Sequence, residues 1–98
     1  MNAESAPSEA DELKAFFGEE VVLDVRGELL YVGVLEEVTS WFYVLKDADV
    51  HDVVATRTGK EVYLIEAAKH GVKKNRHLVH VKAREVLSLS LLADVVKY

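Results

Sequence analysis

From position 21 onward the chain alternates between apolar and polar residues: Val21, Leu23 and Val25 fall on one side, Val22, Asp24 and Arg26 on the other. A period of two is that of a strand with one face buried. Gly27 then closes it with a turn. A second strand is expected over about 29–37, apolar on both sides and interrupted by Gly33, where a missing side chain permits a sharp bend or a close backbone approach. Thr39 and Ser40 lead into a third strand over 41–45, rich in aromatic and branched residues. Over 46–59 the pattern dissolves into acids, His51 and a Thr-Arg-Thr-Gly turn, which reads as an irregular connection. Residues 60–70 alternate weakly and are read as a strand entering a turn, although Gly71 after Glu-Ala-Ala-Lys-His also suits a helix end. Two further strands follow at 77–82 and 86–91, joined by a tight corner at 83–85. In the last, Leu87, Leu89 and Leu91 face one way, Ser88 and Ser90 the other.

Ahead of the strands the period is helical. Ser8 and Asp11 have the spacing of a capping box, Leu13, Phe16 and Phe17 form an apolar stripe, and Gly18 sits where a left-handed cap is wanted. A two-turn helix is marginal alone and must dock on something. Residues 1–7, small and polar, are expected to be a disordered tail, leaving 8–98 as one domain. Short strands joined by short turns point to a small barrel or sandwich.

Composition narrows this further. Half of the 98 residues are apolar, enough for one real core, and the absence of cysteine excludes disulfides and thiolate metal sites. The first residues have neither a basic nor an apolar region, and no apolar run is long enough to span a bilayer, so the cytoplasm is the expected compartment. A net charge of −5 argues at first against nucleic acid. The charge is segregated, however: residues 1–52 hold 13 acids against 3 Lys or Arg, and residues 53–98 hold 4 acids against 9.

The helix, the three consecutive strands, the variable connection and the two strands about a tight corner follow the order of the Sm-like (LSm) family of RNA-binding rings. Gly27, Gly33 and Leu35 occupy the glycine and leucine places of its first motif. The stretch 33–47 resembles the corresponding stretch of the Hfq branch, and Val81, Lys82, Ala83 and Val86 loosely match the second motif. The resemblance covers roughly 9–91. It implies a mostly β fold, with a short N-terminal helix before a strongly bent five-stranded antiparallel sheet, or small open barrel. It also implies a head-to-tail ring of about five to seven copies and single-stranded RNA as the partner. Thr39 stands where the family has Asp, Tyr43 where it has the base-reading Asn, and Lys82-Ala83 where it has Arg-Gly, so weak sequence preference is expected.

The candidate RNA contacts are Thr39, Trp41 and Tyr43 at the motif turn, with Lys73, Lys74, Arg76, Lys82 and Arg84 for phosphates. The five cations lie with Lys69 in sixteen residues without an acid, a source of salt-sensitive phosphate attraction; the alternative is a solvated turn balancing acids elsewhere. Trp41 and Tyr43 share a face by alternation and can stack on bases, or serve as core or interface. His77 and His80, three apart, lie on opposite faces of a strand, so no metal site is expected, nor any cofactor. The pairs Glu19-Glu20 and Glu36-Glu37 split across a sheet, and no phosphate loop, dinucleotide motif or nucleophile elbow occurs, so an enzyme is not expected. Two functions follow: an RNA-binding homo-oligomeric ring, or a non-catalytic structural or protein-interaction ring that has lost RNA reading.

Overall fold

The computed structural model describes residues 9–97. Helix α1 is Glu9–Leu13, shorter than the sequence suggests, and Ser8 with its capping box lies outside the described residues. Gly18, at φ +80°, turns the chain toward the sheet and donates its N–H to the Leu35 carbonyl (2.9 Å). Five strands follow: β1 (Glu20–Val25), β2 (Leu29–Val38), β3 (Phe42–Asp52), β4 (Arg76–Lys82) and β5 (Val86–Leu91). They form one antiparallel sheet in the order β4-β3-β2-β1-β5, open between its two edge strands. The fold is mostly β, as expected.

β2 bends at Gly33. A Cβ there would lie 2.8 Å from Ala48 Cβ and 2.9 Å from Ala48 Cα, so only glycine lets the two strands approach this closely. The β2–β3 register shifts between Val32 and Val34 and again between Leu35 and Glu37, extra residues of the kind that tighten local twist. Curvature brings Val21, Leu23, Val25, Leu35, Leu45, Ala48 and Val81 together in the inner core, against which Phe16, Tyr43, Leu89 and Leu91 also pack.

Four expectations are corrected. β3 runs to Asp52, seven residues past the apolar stretch, because its acids have partners: Asp49 accepts from Tyr63 and Asn75, and Asp52 Oδ1 caps the short helix α2 (Val53–Thr56). Residues 60–70 form a helix, not a strand: α3 is Lys60–His70, closed by Gly71 at φ +90°. Its inward residues Tyr63, Leu64, Ala67 and Ala68 follow helical spacing and cover Val22, Leu30 and Val32 in a second core on the sheet's outer face, joined there by Leu92. Thus β1, which reads as half-buried, is buried on both sides, Val22 being only 3% exposed. Finally, the β1–β5 register jumps from Asp24↔Ser88 to Val25↔Val86, bypassing Leu87, which stands 58% exposed instead of sharing a face with Leu89 and Leu91.

Candidate nucleic-acid interface

The β2–β3 turn is built by Thr39. Its hydroxyl accepts from the N–H groups of Trp41 (3.2 Å) and Phe42 (3.0 Å) and points at the Phe42 carbonyl (3.5 Å), while its own N–H donates to the same carbonyl (2.8 Å). Short polar side chains form such turns because they offer the backbone local partners. The turn is tied to the tight 3-10 corner at Ala83–Glu85 by the Ala83 N–H, which donates to the Trp41 carbonyl (2.8 Å). Motif positions 42 residues apart, Trp41 and Ala83, therefore meet at one place.

Between turn and corner lies a cleft of about 290 Å³ lined by Ser40, Trp41, Phe42, Lys82 and Arg84. Trp41 is 74% exposed. Phe42 stands opposite Lys82 in the β3–β4 register and meets the His80 ring edge-on, centroids 5.5 Å apart at 87°. An open indole beside two cations offers a face for a planar ring and charge for an anionic chain. Sequence reasoning named Trp41, Lys82 and Arg84 but missed Ser40 and Phe42; their signal was adjacency to Trp41 in the turn.

The other candidates lie elsewhere. Tyr43 pairs with Val81 and packs on the inner core, so it does not share a surface with Trp41. Arg76 pairs with Ala48, six positions along β3 from Phe42, or about 20 Å at strand rise. At that end Lys74 pairs with Asp47 (3.3 Å), Arg76 donates to the Asn75 carbonyl (3.0 Å), and Lys73 lines a separate cavity with Asp49, Tyr63, Glu66 and His70. The basic run is two groups, one at each end of β4.

The far group adjoins the anchorage of α3. Lys60 Nζ donates to Asp24 (2.6 Å) and to the Val25 carbonyl (3.1 Å). The Tyr63 hydroxyl donates to Asp49 Oδ2 (2.5 Å), and His51, buried and bonded to the Thr58 carbonyl (2.8 Å), stacks on the Tyr63 ring at 4.1 Å. Burial, then the bond to Asp49 and its negative charge, pushes the Tyr63 phenol well above its ordinary value near 10. Among the described residues no group of three or more His, Cys, Asp or Glu could hold a metal ion.

No protein-family model matches the chain, and no curated protein matches it in sequence. Its structure is similar to that of the Sm protein of Pyrococcus abyssii in complex with a uridine heptamer, with a TM-score of 0.58 over 87% of this chain and 99% of that one, at 16% identity. The chain has an Sm-like fold. In this Sm-like fold the β2–β3 turn and β4–β5 corner hold the cleft at one end of β4, and α3 occupies the connection between β3 and β4.

Proposed function

We propose that the chain forms a homo-oligomeric Sm-like ring that binds single-stranded RNA with weak sequence preference, and that it acts without catalysis, in the cytoplasm. The observation that carries this reading is the exposed Trp41 sharing one cleft with Lys82 and Arg84. Neither cation has an ion-pair partner among the described residues, so both are available to phosphate. RNA on the similar Sm protein supports the same ligand class here. Lys73, Lys74 and Arg76 extend the basic surface at the far end of β4, and a ring of five to seven copies repeats both groups around an axis, concentrating their field. No helix of the described residues is long and apolar enough to cross a membrane.

The test is binding of short single-stranded RNA across a salt series. Affinity should fall with salt, since each phosphate contact contributes a log-log slope of about −0.7, and Lys82→Glu with Arg84→Glu should weaken binding and flatten that slope. Absence of binding at low salt, together with a polypeptide partner that co-purifies stoichiometrically, would replace this reading with a protein-interaction ring.

A further inference from the structure

Resting on the ring reading above, we infer that each copy receives the next in a groove between α3 and the β5 edge, which Leu78 of the incoming β4 fills. β5 pairs only with β1, so its other side is open. The register Val22↔Ser90 sets Ser90 on the sheet's outer face beside Val22, which α3 covers. A cavity of about 290 Å³ lies there, lined by Glu61 and Leu64 of α3, by Ser90, and by Asp94, Val95 and Val96 of the segment after β5. Val96 is 65% exposed. The groove therefore presents apolar surface, with two carboxylates among its lining.

β4, the opposite edge, carries the complement. Val79 and Val81 pack on the inner core, so alternation puts Arg76, Leu78, His80 and Lys82 on the outer face. Leu78 is the apolar residue of that set and stands 54% exposed. Where β4 of one copy extends the sheet antiparallel beyond β5 of another, inner faces must stay with inner faces, because a slip of one residue would turn Val79 and Val81 outward. Among registers that satisfy this, the one opposing Leu78 to Ser90 overlaps β4 and β5 most fully. It seats Leu78 in the groove and sets Arg76 opposite Leu92, at the 3-10 turn Leu92–Asp94. Glu61, Asp94 and Arg76 have no ion-pair partner among the described residues, so the contact matches charge as well as shape. Arg76 thereby joins the contact, and the RNA surface at that end rests on Lys73 and Lys74.

The chain has no cysteine, so introduced pairs form disulfides without background. Facing positions of an antiparallel pair lie about 4.5–5.5 Å apart at Cα, within disulfide range, whereas positions two residues off lie about 7–8 Å apart, beyond it. Leu78, Ser88 and Ser90 are all exposed in the protomer, so replacing them leaves the fold alone. In the full chain, Leu78→Cys with Ser90→Cys should give a ladder of covalent multimers on a non-reducing denaturing gel after mild oxidation. Leu78→Cys with Ser88→Cys should stay at 11.0 kDa on the same gel. Arg76→Asp and Asp94→Arg should each raise the concentration at which the native multimer dissociates roughly fivefold, and the two together should restore it. A native multimer that cross-links through Ser88→Cys instead, or not at all, or a charge exchange without recovery, overturns the groove and leaves the ring standing. An unaltered chain whose native mass at micromolar concentration is already 11.0 kDa removes both.

Discussion

Thr39 and Tyr63 show how single polar groups shape this molecule. Removing the Thr39 hydroxyl orphans the N–H groups of Trp41 and Phe42, though at an exposed site where water can replace it. Thr39→Ala should therefore cost about 1 kcal/mol, read as a fall in melting temperature at fixed protein concentration, and should loosen Trp41 enough to reduce RNA affinity. Thr39→Ser should restore both. The Tyr63 hydroxyl is held by a carboxylate under α3, and Tyr63→Phe should cost about 1.5 kcal/mol. Its pH dependence has a definite sign. Because the folded-state phenol titrates above its unfolded value, its contribution is fully present below pH about 10 and declines as pH rises beyond it. Denaturant melts between pH 8 and 11 should show the gap between wild type and Tyr63→Phe closing at the alkaline end; a constant gap would show that the proton on Tyr63 is not what the fold depends on.

Among the elements, β2 and β3 depend most on one contact. Gly33→Ala drives a methyl group into the backbone and side chain of Ala48, a small-to-large change that should cost about 1–3 kcal/mol. Ala48→Gly in the same chain should recover part of it, and a double-mutant cycle on chemical denaturation measures that coupling. Gly33 was legible from sequence, as were β1, β4, β5 and the corner, because a glycine inside an apolar run and a period of two carry their meaning locally. β3 was not, since the partners that let Asp49 lie in a strand come from residues 63 and 75. Helix α3 was not either: residues 60–70 carry apolar groups at nearly every second and every fourth position, so neither period stood out, and what decides is an outer sheet face that only folding creates. The cleft was half legible. Trp41, Lys82 and Arg84 stood out as residue types, but Tyr43 faces the core because β3 begins at Phe42 and leaves Trp41 in the turn, outside the strand's alternation.

At the scale of the whole molecule, β4 and β5 are the sheet's two edges, and unpaired edges need covering, charge or a partner strand. In the proposed ring β5 of one copy lies beside β4 of the next. Leu89 packs on the inner core, so a charge there would unfold the protomer as well as separate it. Leu87 is the cleaner probe: exposed on the β5 edge, Leu87→Lys should leave the circular dichroism unchanged and shift native mass from a multimer toward 11.0 kDa. Native mass already at 11.0 kDa in the unaltered protein at micromolar concentration would remove the ring. The segment between β3 and β4 carries a different lesson. Its ends are fixed to neighbouring strands, so it has the look of an ornament that engineering could trim, joining Asp52 to Arg76 with a short linker and keeping all five strands. Such a minimal version would bare Val22, Leu30, Val32 and Leu92 together as one oily patch on the outer face of the sheet. It would precipitate rather than simplify, unless those four positions were rewritten as polar residues at the same time.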